Sequence, residues 1–194
     1  MNKNRLEAFS DAVIAILITI MVLEFKIPKG ETYKTLLPVV PKFLSYILSY
    51  IYLGIYWSNH HHLMHTVKNV TGKIMWANLY LLFWLSLIPF ATAWNGENDF
   101  ANFSMEVYGF ILLMNAVAYY NLQRIIIKSH GENSILGKVI GKDLKGKSSG
   151  FLYFIGICLS YFNPIFGGLI YILVALMWLI PDKRIEGIFD EDKN

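Results

Sequence analysis

Long apolar runs separated by short polar stretches set the pattern of this 194-residue chain. Six of those runs read as candidate membrane spans, at about 6–26, 39–64, 74–94, 103–127, 149–163 and 165–181, each bounded by polar or Pro/Gly residues. The first four have the apolar length to cross a hydrocarbon core. The last two are short, and Asn163-Pro164 with Gly167-Gly168 marks a tight turn between them, so a re-entrant pair competes with two full crossings there. Pro89, inside Ile88-Pro-Phe-Ala-Thr92, predicts a simple kink near the far end of the third span. No β-barrel alternation appears. The predicted fold is therefore an all-α integral membrane protein of six transmembrane helices. With no internal repeat or low-complexity segment, residues 1–194 read as a single six-helix membrane unit.

Composition agrees with this pattern. The chain is 55% hydrophobic and 16% charged, with a mean hydropathy of +0.44. Cys158, the one cysteine, stands in an apolar run, which excludes an intrachain disulfide or a redox pair. A cleaved signal peptide would need a small-residue site after the first run; Leu23-Glu-Phe-Lys-Ile-Pro28 follows instead, so that segment is expected to be retained.

Charge placement orients the spans. With the N-terminus inside, Lys3, Arg5, Lys68, Lys73, Arg124, Lys128, Lys138, Lys142, Lys145, Lys147, Lys183, Arg184 and Lys193 are cytoplasmic, whereas Lys26, Lys29, Lys34 and Lys42 fall outside. The stretch Asn95–Asn102 carries Glu97 and Asp99 but no basic residue, as an external loop should. Both termini are expected to be cytoplasmic. The basic, Gly-rich stretch from Lys138 to Gly150 fits a solvated loop near anionic headgroups; it lacks the base-reading groups a nucleic-acid partner would need.

Two clusters carry candidate chemistry. The first is Arg5-Leu-Glu-Ala-Phe9-Ser10-Asp11, running directly into AVIAILITIMVL. Charged and hydroxyl groups there are costly near lipid unless partnered or functional; the plainer reading makes Ser10 or Asp11 a helix N-cap. On a helix turning about 100° per residue, Ile16, Ile20 and Leu23 share a face, with Thr19 about 60° to one side. Arg5, Phe9 and Ala12 continue that stripe, and Ser10 and Asp11 point about 120–140° away from it. One of the two faces can meet a pore while the other packs against neighbouring helices.

The second cluster is Trp57-Ser-Asn59-His60-His61-His62-Leu-Met-His65 at the end of the second span. His61 and His65 have the i, i+4 spacing that places two metal ligands on one helix face, as a histidine-dependent membrane enzyme using His60, His61, His62 and His65 would need. The chain has five histidines in all, His130 being the fifth, and no carboxylates at ligand spacing stand nearby. Hydrogen bonding to buried polar partners explains the cluster better, and no cofactor is expected. Asp11 needs a donor, the histidines and Asn59 supply donors, and Trp76-Ala-Asn78 offers a further amide at the same level. An Asp–His or Ser–Asn network across these helices would satisfy both clusters. A proton-coupled transporter using Asp11 and the histidines is a further alternative.

These residues resemble a known family. Arg5-x-x-x-Phe9-Ser10-Asp11 before an apolar helix is similar to the Arg-x-x-x-Phe-Ser-Asp signature of the endosomal and lysosomal potassium channels and their bacterial relatives. The likeness continues in Trp57-Ser-Asn59-His60-His61, in Trp76-Ala-Asn78 and in Pro89-Phe90, and so covers the first three spans with specific motifs. It implies a multi-pass channel of the cell (inner) membrane, conducting potassium without the TVGYG filter, which this chain lacks. Four copies of one six-helix chain would surround a central pore, so the implied partners are the chain itself, potassium ions and the bilayer. By position from Asp11, the resemblance implies a constriction at Ile16, with Thr19, Ile20 and Leu23 above it. Arg5, Phe9, Ser10, Asp11, Trp57, Asn59, His60, His61 and Asn78 would form the packing network that holds the first helices in place.

Overall fold

Backbone polar groups in a bilayer must be satisfied within the protein. The computed structural model describes residues 2–131, 134, 136, 137 and 143–179, and meets this demand with helices; no strand is present among them. The elements are α1 (Lys3–Leu23), α2 (Val40–His65), α3 (Gly72–Ser86), α4 (Ile88–Glu97), α5 (Asn102–His130), α6 (Leu144–Phe162) and α7 (Pro164–Leu179). They make six passages, because α3 and α4 together form the third. Four of these (α1, α2, α3 with α4, and α5) are long and apolar enough to cross a membrane. Lys138, Lys142, Lys183, Arg184 and Lys193 lie outside the described residues.

Helix ends follow local chemistry. The cap of α1 is Asn2, whose side chain accepts from the Asn4 N–H at 3.2 Å. Ser10 and Asp11 therefore stand about two turns inside α1, not at its cap, because the helix starts ahead of the apolar run. Thr71 caps α3 by accepting from the Ile74 N–H. The short link between α2 and α3 is pinned from the opposite helix: His130 Nε2 accepts from the Lys68 N–H at 3.1 Å while its Nδ1 meets the Ile126 carbonyl.

The third passage breaks more fully than a kink. α3 ends at Leu87 and α4 begins at Ile88, with Pro89 in the first turn, where its missing N–H costs no helical bond. The break leaves carbonyls at the end of α3 in need of donors. Asn115, fully buried on α5, supplies one by donating to the Trp84 carbonyl at 3.2 Å.

Small and hydroxylated residues set how closely the passages pack. Ser45 of α2 donates to the Thr92 carbonyl of α4 at 2.9 Å. The hydroxyls of Thr92, Ser49 and Tyr108 form a buried chain through α4, α2 and α5, with separations of 2.6 and 2.9 Å. α6 and α7 form an antiparallel pair turning at Asn163, whose Oδ1 accepts from the Ile165 N–H. Tyr171 of α7 lies fully buried against α5 and α6, and the absence of a side chain at Gly109 and Gly156 makes its space. A Cβ at Gly156 would stand 2.5 Å from the Tyr171 ring.

Gly156→Val should therefore overpack the α6–α7 contact and cost about 1–3 kcal/mol, read as a lower melting temperature of the purified protein. Gly54→Ala, at a helical site with open space beside it, should hold or raise the melting temperature. Equal melting of Gly156→Val and the unaltered chain would contradict this packing.

The first helix and its buried polar support

α1 packs against α2, α3 and α4 along one face only. Leu6, Ser10, Ile14, Leu17 and Met21 are buried there, a heptad-like spacing of three and four residues. The opposite face is uncovered: Phe9 is 51% exposed, Ile16 54%, Ile20 39% and Leu23 79%. Ala12, Ala15 and Thr19 are exposed on the same side. Thr19 turns its hydroxyl hydrogen back into the helix, donating to the Ile16 carbonyl at 2.9 Å, which leaves its oxygen lone pairs on the exposed face. Ile18, on the other side, packs against the core.

The buried face carries a chain of polar groups. Ser10 Oγ donates to the Leu6 carbonyl at 2.9 Å and accepts from Asn78 Nδ2 at 2.8 Å. Asn78 Oδ1 in turn faces His60 Nε2 at 2.7 Å. With the amide nitrogen committed to Ser10, the amide oxygen must accept, so Nε2 is the donor. All three side chains are fully buried. They come from α1, α3 and α2, so one hydrogen-bonded line ties three helices together.

Two further contacts join α1 to α2 nearer its surface. The Trp57 indole donates to Asp11 Oδ1 at 3.1 Å, and Glu7 Oε1 pairs with His61 Nδ1 at 2.9 Å. Lys3 Nζ reaches the His65 carbonyl at the end of α2. Asp11 thus finds its donor in an indole rather than in a histidine or Asn59. Asn59 stands apart: its amide donates to the Ile55 carbonyl of its own helix, and its backbone carbonyl accepts from the Tyr119 hydroxyl. Arg5 and Phe9 lie on the exposed face of α1, outside this hydrogen-bonded line. Glu7, which sequence reasoning missed, has a signal in hindsight: it lies one turn before Asp11 and so shares its face.

The histidines do not converge on a metal. His60 is turned to Asn78 and His61 to Glu7, and among the described residues no three of His, Cys, Asp and Glu group as metal ligands. What the arrangement offers is a helix whose Glu7, Ser10 and Asp11 side chains are partnered inward while one continuous face from Phe9 to Leu23, apolar except for Thr19, stays bare.

Comparison with known proteins agrees with that architecture. A sequence model of the family described as endosomal/lysosomal potassium channel TMEM175 matches residues 5–89. A potassium channel of Chryseobacterium sp. (strain P1-3) is 54% identical over 192 residues, covering 99% of this chain and 100% of that one. A potassium channel of Streptomyces collinus (strain DSM 40733 / Tue 365) is 33% identical over 131 residues, 63% of this chain and 64% of the relative. The Homo sapiens endosomal/lysosomal proton channel TMEM175 is 30% identical over 103 residues, which are 47% of this chain and 20% of the human one. The crystal structure of a lysosomal potassium-selective channel TMEM175 homolog from Chamaesiphon minutus superposes with a TM-score of 0.79 at 26% identity, covering 93% of this chain and 97% of the other.

Breaking the buried line should cost more than breaking the outer contact. Asn78→Ala orphans the His60 N–H at a fully buried site, at a cost of about 1–3 kcal/mol. Asp11→Ala frees a Trp57 indole that is half exposed and can reach water. Thermal unfolding of the two variants checks this: Asn78→Ala should melt at the lower temperature, and the reverse order would place the main support elsewhere.

Proposed function

Because the chain belongs to the TMEM175 family of endosomal/lysosomal potassium channels, we propose that it is a potassium channel whose pore is lined by α1. Four copies of the chain surround that pore in the cell (inner) membrane, with both termini on the cytoplasmic side. The observation that carries this reading is the division of α1 into two faces. Glu7, Ser10 and Asp11 each turn to a partner within the chain, while Ile16, Ile20 and Leu23 stay exposed on the other side. From Phe9 to Leu23, beyond Arg5 at the helix start, this face can stand around an axis without offering ions a fixed charge.

In the proposed tetramer, four Ile16 side chains meet on the axis about one and a half turns beyond Asp11. A narrow apolar ring strips water from ions and closes by dewetting, so conduction is set by the cost of dehydration. Potassium sheds its hydration water at lower cost than sodium, which gives the larger ion the advantage at a constriction poor in ligands. The Thr19 oxygens, with their hydrogens turned into the helix, supply partial coordination just above the ring. The buried line from Ser10 through Asn78 to His60 holds each α1 at the rotation this ring requires. In this reading the histidines are structural, and transport needs neither a bound metal nor a proton gradient.

Purified protein in liposomes should pass potassium down its gradient without ATP, and opposed potassium and sodium gradients should give a reversal potential on the potassium side. Because the human relative is named a proton channel, the same vesicles should be tested with a pH gradient alone. No potassium flux from well-folded protein, or uptake that saturates and requires a proton gradient, would sink the channel reading. Stoichiometric zinc or iron that is lost on replacing His61 would favour a metal enzyme.

Ile16→Asn should raise the current and lower potassium-over-sodium discrimination, because four amides would wet the ring and ligate ions. Ile18→Asn, about 160° away round the helix and packed against the core, should lower stability instead. A wetter pore from Ile18→Asn with a silent Ile16→Asn would mean that the pore face of α1 is the other one.

A further inference from the structure

α2 has two working sides. Trp57 and His61 face α1, and about 160° round the helix Tyr52, Ile55, Tyr56 and Asn59 line a cleft that opens at the surface. The far wall of the cleft is built by α5, α6 and α7, so it is formed wholly within one chain. Six aromatic side chains, Tyr52, Tyr56, Tyr119, Tyr120, Tyr153 and Trp178, dominate its surface. The Trp178 indole is held in place by donating to Ser149 Oγ at 2.7 Å.

Two polar side chains in this aromatic wall have hydrogen-bonding capacity left over. Gln123 is only 5% exposed, lines the cleft, and has no hydrogen bond among the described residues. Asp143 uses Oδ1 to cap α6, accepting from the Gly146 N–H at 3.1 Å, but its Oδ2 is buried and unpartnered. Gly146 keeps the space beside that oxygen open: a Cβ there would stand 2.5 Å from Asp143 Oδ2. Asp143 also holds a left-handed backbone conformation, φ 43°, which aspartate tolerates better than most residues. A buried, unpaired carboxylate oxygen is costly to leave unfilled.

The chemistry of these walls selects the charge of the occupant. Aromatic faces attract cations, and two cations of the chain already use rings of this wall: Lys145 Nζ lies 4.6 Å from the Trp178 centroid and the Arg124 guanidinium 6.0 Å from that of Tyr120. An anion entering the cleft would meet the Asp143 carboxylate. We propose that this cleft is a binding site for an organic cation, a protonated amine carried on an apolar or aromatic body. The ammonium donates to Asp143 Oδ2 and to the Gln123 amide oxygen, and the body lies against the tyrosines and Trp178.

The test uses phenethylammonium, titrated by calorimetry into the full chain in lipid nanodiscs, with empty nanodiscs as the blank. Saturable binding at one probe per chain is expected. Asp143→Asn keeps a side chain that caps helices equally well but loses the charge, and should weaken binding about tenfold or more. Gln123→Leu fills the same wall without an acceptor and should weaken it by a smaller factor. Phenylacetate, of similar size and opposite charge, should not bind. The site is overturned by absence of saturable binding, by one probe per four chains, by unchanged affinity in both variants, or by phenylacetate binding as tightly. Should Asp143→Asn fail to fold, Gln123→Leu with the phenylacetate comparison decides alone. Because binding is read without ion flux, this outcome and that of the pore experiments are separate.

Discussion

A serine hydroxyl, an asparagine amide and an imidazole, all fully buried, can be left in a membrane protein only if each meets another. In this chain Ser10, Asn78 and His60 meet in one line, with separations of 2.8 and 2.7 Å, and the first half of the bundle is organised around that requirement. No water is at hand to replace a lost partner, so a slip of α1 by one residue, or a rotation by a quarter turn, would strand at least one group. Apolar packing alone could not impose this, because lipid tails cover leucine and isoleucine as well as a neighbouring helix does. The polar line therefore sets rotation and register, and the apolar contacts of Leu6, Ile14, Leu17 and Met21 follow from it.

Once that rotation is set, the other face of α1 has no choice. Ile16, Ile20 and Leu23 must point away from the chain's own core, and Thr19 must stand among them. Thr19 resolves its own donor within the helix and so adds acceptor character without an unsatisfied hydrogen. In the proposed pore this matters, because the same residue that breaks the apolar surface does not break the helix that carries it. Selectivity and rigidity are then separate tasks, one on each face.

The rest of the bundle supports α2, and through it α1, by a different means. α5, α6 and α7 approach closely because Gly109 and Gly156 give way to the Tyr171 ring, and because hydroxyls such as Ser45, Ser49 and Thr92 pair across α2, α4 and α5. The break at Leu87 lets α4 turn its serine-binding groups to α2 while α3 presents Asn78 to α1. The aromatic cleft behind α2 lies where α2, α5, α6 and α7 leave a gap between them.

The membrane class, the order of the passages and the two-faced character of α1 were legible in the sequence, since each depends on local apolar length or on helical periodicity. The signature Arg5-x-x-x-Phe9-Ser10-Asp11 was legible as well, and with it the family. Which polar groups would pair was not. Asp11 and Ser10 are neighbours in sequence yet bond to different helices, Asp11 to Trp57 and Ser10 to Asn78, and Asn59, one residue before His60, bonds within its own turn. Nor could pattern alone show that Pro89 begins a new helix, or that Gln123, Asp143 and Trp178 line a common cleft. Periodicity assigns each side chain to a face of its own helix. Which faces meet depends on how helices distant in sequence pack, and only the tertiary structure decides that.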